Sequence, residues 1–235
     1  MIKVILFDID NTLLSFDGYV REALKSGFPL FGLGEANEET FSTFTRINTG
    51  LWRELEEGRI DFEEIQKVRF NRIFRALKKE GDGAAFEDYF RACLFDSAIL
   101  EDGAIQALSA LSPRFILGAA SNGPYRQQLH RLELGGLLPY FSHFFISEEM
   151  GHSKPSAEYF ALCMKRLREK GEEMLLPEEV LMVGDSLTSD IGGGQRAGMK
   201  TCFYNPKKKE LPLEIRPTYT VEHLLQIPAL LEISE

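Results

Sequence analysis

The stretch Met1-Ile-Lys-Val-Ile-Leu-Phe-Asp8-Ile-Asp10-Asn-Thr12 decides the fold of this chain. Its apolar part, Val4–Phe7, has the length of a strand, and continuous apolar residues are typical of a strand buried on both faces of a parallel sheet. Asp8 follows this run directly, and Asp10 stands two residues further on. A buried carboxylate is unfavourable unless a cation or hydrogen bonds compensate its charge, and ligands bind at the carboxyl ends of parallel strands. The pair is therefore a candidate site for a divalent cation; the alternative is an ordinary turn, since Asp and Asn favour turns.

Composition limits the classes of function. The chain has 235 residues, of which 44% are hydrophobic, and a formal net charge of −9. This size suits one large domain or a domain with an insertion. The acidic balance argues against a nucleic-acid polymer as partner, but a cation and nearby lysines still allow a small phosphorylated metabolite to bind.

The cysteines and the apolar runs indicate the cellular compartment. Cys93, Cys163 and Cys202 are few and widely spaced, which favours reduced thiols in a cytoplasmic protein over a disulfide framework. No apolar run reaches the length of a signal peptide or a membrane span. We expect no membrane partner, and a monomer or a weak homodimer.

Residues 16–95 have the pattern of an all-helical segment. Phe41, Phe44, Ile47 and Leu51 recur at helical spacing, and the sequence at 61–64 resembles a capping box that opens a further helix. From about Ala104 onward, helices alternate with short apolar strands, which predicts a mostly parallel sheet covered by helices on both faces.

We therefore predict an α/β fold, with a Rossmann-like, three-layer core of residues 1–15 and 96–235. An all-helical cap domain, residues 16–95, is inserted directly after the first strand and would lie over the carboxyl edge of the sheet as a lid. The predicted strands are 4–7, 115–120, 144–146, 180–183 and 201–204; the predicted helices of the core are 104–111, 125–134, 157–167, 191–197 and 222–231.

Polar residues follow further predicted strands at the same relative position. Ser121 and Asn122 follow the second strand, and Asp185 follows the fourth, with Asp190 shortly after it. Lys154, which precedes Pro155, lies between these segments. Because the ends of parallel strands converge on one edge, these side chains are expected to meet Asp8 and Asp10 there.

The set and its order resemble the haloacid dehalogenase (HAD) superfamily of phosphatases that use an aspartate nucleophile. The first motif is Asp8-Ile-Asp10-Asn-Thr12, the second Ser121-Asn122, the third Lys154-Pro155, and the fourth Gly184-Asp185 with Asp190. The resemblance covers essentially the whole chain, and the insertion stands where this superfamily places its helical cap. It implies a Mg²⁺-dependent phosphomonoester hydrolase.

The resemblance implies a role for each residue that would act in catalysis. Asp8 would attack phosphorus to form an aspartyl-phosphate; the alternative is a carboxylate that only holds metal. Asp10 would protonate the leaving oxygen and then accept a proton from water; the alternative is a turn residue. Lys154 would neutralise the phosphoryl group and orient Asp8. Its alternative is a solvated lysine, although Pro155 pins it just before a helix.

The resemblance also implies roles for the residues that would bind the phosphate group and the metal ion. The Ser121 hydroxyl and the Asn122 backbone N–H would donate to a phosphate oxygen near a helix N-terminus; an ordinary N-cap is compatible with this. Asp185 would bind Mg²⁺ directly and Asp190 directly or through water, with a helix cap as the alternative for Asp190. The Asp8 carboxylate and the Asp10 backbone carbonyl would complete the protein ligands of the metal, which prefers oxygen.

Asp10 also separates classes within the superfamily, because the dehalogenases lack an acid at this position. Phosphatase is favoured; a phosphosugar mutase and a catalytically silent binding relative remain open. The insertion resembles that of the pyrimidine 5′-nucleotidases, through Ile47-Asn48-Thr-Gly50-Leu51-Trp52 and Gly58-Arg59-Ile60. In this interpretation Trp52 stacks on a base and Asn48 bonds its edge; the alternative places Trp52 in the core of the cap.

Overall fold

The computed structural model of the chain describes residues 1–171, 173–212 and 214–232. Within these ranges, six parallel strands form one sheet in the order β3-β2-β1-β4-β5-β6. They are β1 (Val4–Phe7), β2 (Ile116–Ser121), β3 (His143–Ile146), β4 (Val180–Gly184), β5 (Lys200–Tyr204) and β6 (Tyr219–Val221). The predicted parallel α/β sheet is confirmed. The sequence did not indicate β6, because only Val221 of this strand is buried.

The α-helices of the described ranges fall into two groups. They are α1 (Phe16–Leu30), α2 (Glu38–Glu56), α3 (Phe62–Ala76), α4 (Gly83–Phe95), α5 (Ala104–Leu111), α6 (Tyr125–Leu134), α7 (Ser147–Met150), α8 (Ala157–Glu169), α9 (Gly193–Arg196) and α10 (Gln226–Glu232). The chain divides into two compact units: a core unit, Met1–Ser15 with Ala98–Glu235, and a helical unit, Phe16–Ser97, that contains α1 to α4. None of the described helices is long and apolar enough to cross a membrane.

Both faces of the sheet are buried in the core unit. In β1, Ile5 and Phe7 pack into one cluster with α5, α6 and α10, and Val4 and Leu6 pack into a second cluster with α8. All four side chains are inaccessible to solvent. The alternation of a strand thus places successive residues of one apolar run in two different cores, which produces the predicted three layers.

Two predicted helices differ from the structure. The predicted helix at 191–197 is instead a π-helical turn, Leu187–Gly192, followed by the single turn of α9; consecutive glycines at 192–194 weaken regular α-helix there. The last helix begins at Gln226 and not at 222. The Gln226 side chain accepts hydrogen bonds from the N–H groups of Glu222 and His223, which holds that segment in a turn.

The helical unit has an aromatic core and a buried ion pair between Arg69 and Glu87. Phe28, Phe44, Phe70, Phe86 and Phe90 are each at most 2% exposed. Side chains cap the N-termini of α2, α3 and α4; at the start of α3, for example, the Asp61 carboxylate accepts from the N–H of Glu64 at 2.8 Å.

The two connections between the units run side by side within the core unit. Leu14 and Leu100 form an antiparallel bridge. The N–H of Ser15 donates to the carbonyl of Ile99 at 2.7 Å, and the N–H of Glu101 donates to the carbonyl of Leu13 at 2.9 Å. The chain therefore leaves the core unit and returns to it at adjacent points.

Candidate active site

Asp8 lies at the carboxyl end of β1, the central strand, with its carboxylate almost buried. One carboxylate oxygen accepts a hydrogen bond from Lys154 Nζ at 2.7 Å, and the other accepts one from Thr12 Oγ1 at 3.1 Å. Burial raises the pKa of Asp8 to about 7, and the neighbouring ammonium of Lys154 opposes this increase. Asp8 is thus a buried carboxylate whose charge the protein compensates only in part.

The segment after Asp8 is a turn as well as part of the site. Asn11 has a positive φ of 60°, a conformation that Asn tolerates better than most residues. Its N–H donates to the carbonyl of Leu14 at 2.7 Å, and the N–H of Leu14 donates to the carbonyl of Ile9 at 2.9 Å. The segment is thus a turn, and this turn places Asp10; the role of Asp10 in a site stays a prediction.

Lys154 is buried, so the alternative of a solvated lysine is wrong. Its Nζ donates to Asp8 Oδ1, Asp190 Oδ1 and the carbonyl of Ala120, each at 2.7 Å, which uses all three ammonium hydrogens. Burial disfavours the charged ammonium, but the carboxylates of Asp190 and Asp8 raise the pKa of Lys154 well above its usual value. Lys154 therefore carries a fixed positive charge beside Asp8.

Asn122 holds the backbone of Lys154. Its side-chain amide donates to the carbonyl of Lys154 at 2.8 Å and accepts from the N–H of Lys154, also at 2.8 Å. The Lys154-Pro155 peptide bond is cis. The Asn122 side chain thus anchors the backbone of Lys154; the expected contact of the Asn122 backbone with substrate stays a prediction.

Three carboxylates meet beside Lys154. Oxygens of Asp8, Asp185 and Asp190 lie within 4.8 Å of one another. Asp190, which is 1% exposed, accepts from the N–H of Ser186 at 3.0 Å. Ser186, and not Asp190, caps the π-helical turn, so the helix-cap alternative for Asp190 is wrong. Gly184 makes room for this arrangement, since a Cβ there would overlap the Asp190 carboxylate.

The chemistry of this donor set fits Mg²⁺, which prefers carboxylate oxygens. Burial is the main cause of the raised pKa of Asp8, and the negative charges of Asp190 and Asp10 add to it. Asp10 is not in the cluster of three carboxylates; the predicted role of its backbone carbonyl as a ligand stays a prediction.

Asp10 and Ser121 meet two residues that the sequence did not single out. Arg131 donates to Asp10 Oδ1 at 2.6 Å, and Gln128 donates to Asp10 Oδ2 at 2.7 Å and to Ser121 Oγ at 2.6 Å. Their three-residue spacing places Gln128 and Arg131 on one face of α6. Their position on the helix that directly follows Ser121 is the one sequence feature that points towards the site, and it does not distinguish a buried face from a solvated one.

The two residues predicted to recognise a base belong to the helical unit. Asn48 is 8% exposed and accepts from Arg69 at 3.1 Å, and Arg69 also donates to Glu87. Trp52 is half-buried, with its ring centroid 5.7 Å from that of Phe62. Asn48 thus has an internal partner, and the substrate roles of both residues stay predictions.

Comparison with known proteins points to one family. The haloacid dehalogenase-like hydrolase family matches residues 2–198. The HAD-hydrolase YfnB of Bacillus subtilis is 36% identical over 231 residues, which cover 98% of this chain and 96% of that protein. Its crystal structure, bound to magnesium, has a TM-score of 0.88 and covers 98% of each chain.

Two nucleotidases are also similar to this chain. The pyrimidine 5′-nucleotidase PynA of Streptococcus pneumoniae is 34% identical over 220 residues, 93% of this chain and 90% of that protein. The pyrimidine 5′-nucleotidase YjjG of Escherichia coli is 33% identical over 227 residues, 97% of this chain and 96% of that protein.

Proposed function

Since the chain belongs to the haloacid dehalogenase-like hydrolases, we propose that it is a phosphomonoesterase with Asp8 as nucleophile. The observation that carries this proposal is the position of Lys154, whose ammonium lies 2.7 Å from both Asp8 and Asp190. A buried cation between carboxylates provides the charge neutralisation on which phosphoryl transfer depends.

The protein groups perform the reaction in two displacements. Asp8 Oδ attacks phosphorus while the bond from phosphorus to the substrate oxygen breaks, and Asp10 gives that oxygen a proton. Water then gives a proton to Asp10 and attacks the aspartyl-phosphate, which releases inorganic phosphate and restores the Asp8 carboxylate. Lys154 balances charge on the transferred group, and Ser121 donates to one of its oxygens.

The metal site of this proposal consists of Asp8, Asp185 and Asp190, with the Asp10 backbone carbonyl as a further ligand. A bound Mg²⁺ ion would supply positive charge to the phosphoryl oxygens. Within the protein, the Lys154 ammonium lies between Asp8 and Asp190, and the Lys209 ammonium lies 4.0 Å from Asp185.

The proposed substrates are nucleoside 5′-monophosphates, with pyrimidines favoured, or similar small phosphorylated metabolites. The support is the similarity to PynA and YjjG, which are named pyrimidine 5′-nucleotidases, together with an aromatic residue, Trp52, that is half-buried on the helical unit. The cytoplasmic location, the oligomeric state and the role of the helical unit as a lid stay predictions.

The test is phosphate release from a panel of nucleoside monophosphates and sugar phosphates, with Mg²⁺ and with EDTA. Metal-dependent release that is greatest for pyrimidine monophosphates supports the proposal. Release from sugar phosphates alone would retain the phosphatase and reject the nucleotidase. Conversion of one sugar phosphate to its isomer indicates the mutase, and no reaction with any compound indicates a binding protein.

Trp52 gives a narrower prediction about the substrate. Trp52→Ala should raise KM for uridine monophosphate by about tenfold, since stacking on a base contributes about 1–3 kcal/mol. KM for ribose 5-phosphate, which has no base, should stay unchanged. An equal increase for both substrates would place Trp52 in the cap core instead, as the alternative interpretation holds.

A further inference from the structure

We infer that Gln128 and Arg131 are positioning residues, which fix the carboxylate of Asp10 and the hydroxyl of Ser121 for catalysis. This inference rests on the function proposed above. Both residues lie on α6 and are buried, Gln128 being inaccessible and Arg131 1% exposed. A buried guanidinium is unfavourable unless acceptors satisfy it, so the packing of α6 commits Arg131 to the acceptors around it.

The hydrogen bonds around Gln128 have one possible direction. Arg131 Nη1 donates to Gln128 Oε1 at 2.9 Å. Because a guanidinium cannot accept a hydrogen bond, this contact establishes which end of the amide carries oxygen. The amide nitrogen then donates to Asp10 Oδ2 at 2.7 Å and to Ser121 Oγ at 2.6 Å, one hydrogen for each bond.

This direction makes Ser121 a donor to the substrate. Ser121 Oγ accepts from Gln128 and also from the N–H of Gly123, at 3.1 Å. A hydroxyl oxygen has two lone pairs, and these two bonds occupy both. The hydroxyl hydrogen of Ser121 must therefore point to another acceptor, which in the proposed reaction is a phosphoryl oxygen.

The same two residues fix the plane of the Asp10 carboxylate. Oδ1 accepts from Arg131 at 2.6 Å and Oδ2 accepts from Gln128 at 2.7 Å. The Asp10 side chain is 32% exposed, so without these donors nothing among the hydrogen bonds described here would hold its rotamer. Transfer of a proton to the leaving oxygen requires that the carboxylate be within hydrogen-bond reach at a defined angle.

The test compares two substrates that differ in their need for an acid. The leaving group of p-nitrophenyl phosphate departs without a proton, whereas that of ribose 5-phosphate requires one. Because kcat/KM reports the steps up to cleavage of the phosphorus–oxygen bond, it isolates the acid role of Asp10. Arg131→Met should lower kcat/KM for ribose 5-phosphate by about 100-fold, and for p-nitrophenyl phosphate by about tenfold or less.

Three further variants complete the experiment. Arg131→Lys, which keeps a cation beside Asp10, should recover part of the loss on ribose 5-phosphate. Arg126→Met removes an exposed arginine from the same helix and should leave both substrates unchanged. Gln128→Met should show the same preference for the aryl substrate, and inorganic phosphate should inhibit it about tenfold more weakly because Ser121 is no longer oriented.

The outcomes separate this inference from the proposed function. Equal losses on the two substrates in Arg131→Met and Gln128→Met, or no loss in either variant, would overturn the positioning role while the phosphatase assignment stood. Failure of the unsubstituted protein to hydrolyse either substrate would overturn the phosphatase and the inference together.

Discussion

Asp8 is the residue on which the proposed chemistry depends. Asp8→Asn keeps the size of the side chain and a carbonyl oxygen that can accept from Lys154, but it removes the nucleophile. We expect the rate of phosphate release to fall by more than about 10³-fold, with little change in the circular dichroism spectrum or the melting temperature. Wild-type turnover by Asp8→Asn with Mg²⁺ present would show that another group attacks phosphorus.

Lys154 has a structural role that is separable from catalysis. Lys154→Met leaves the buried carboxylates of Asp8 and Asp190 without their cation, and breaking a buried pair in this way destabilises proteins by about 3–5 kcal/mol. Urea denaturation in EDTA should show this loss, and Mg²⁺ should restore part of it. Lys165→Met, at an exposed lysine of α8, is the control; similar stability of the two variants would contradict the prediction.

The position of several site residues at strand ends explains which of them could be predicted. Asp8, Ser121 and Asp185 each follow a short apolar run, and the rule that parallel strands share an edge brings them together. Gln128 and Arg131 follow no such run. Polar residues at helical spacing usually indicate a solvated face, and only the packing of α6 against the core shows that these two are buried.

At the scale of elements, the helical unit contains a polar network within an aromatic core. The Arg69 guanidinium donates to Glu87 at 3.0 Å and to Asn48 at 3.1 Å. It also lies 4.8 Å from the centroid of the Phe90 ring. Because α2, α3 and α4 each contribute one of the three polar residues, the network links these helices.

This network gives a stability prediction. Arg69→Met should destabilise the protein by about 3–5 kcal/mol, since it leaves the buried Glu87 carboxylate uncompensated. Adding Glu87→Met should recover part of the loss, because no unpaired charge then remains. Thermal melting of both variants, with the exposed Arg72→Met on the same helix as control, tests this. A double variant that is less stable than Arg69→Met would contradict it.

Elements of low burial or unusual geometry were the ones that the sequence did not predict correctly. The strand β6 has a single buried residue, so it lacks the apolar run by which β1 and β4 were identified. The segment after Asp185 contains Leu187 and Ile191, two apolar residues at helical spacing. Its glycines, and the need to bring Asp190 to Lys154, produce a π-helical turn instead.

At the scale of the whole molecule, buried thiols make stability depend on pH. Burial raises the pKa of Cys202 to about 12 and that of Cys163 well above its usual value. In the unfolded chain a thiol loses its proton near pH 8.5, approximately the ordinary cysteine pKa. Above that pH the folded state binds more protons than the unfolded state, so stability falls as pH rises towards 12.

The size of this effect can be measured with one substitution. Each such thiol should lower the free energy of unfolding by about 1.4 kcal/mol per pH unit. Urea denaturation between about pH 9 and 10.5, within the window set by these pKa values, should therefore show a shallower decline for Cys202→Ala than for the unsubstituted protein. Identical slopes would mean that the Cys202 thiol ionises equally in both states.

The antiparallel pairing of Leu14 with Leu100 has a consequence for how the molecule can evolve. The segment Phe16–Ser97 begins and ends at neighbouring points of the core unit, so its exchange for another segment of any length requires no rearrangement of the sheet. Selection can then alter Asn48 or Trp52, or replace the whole segment, while Asp8, Lys154 and Asp190 keep their positions. The same hydrolase core can in this way be combined with many different inserted segments.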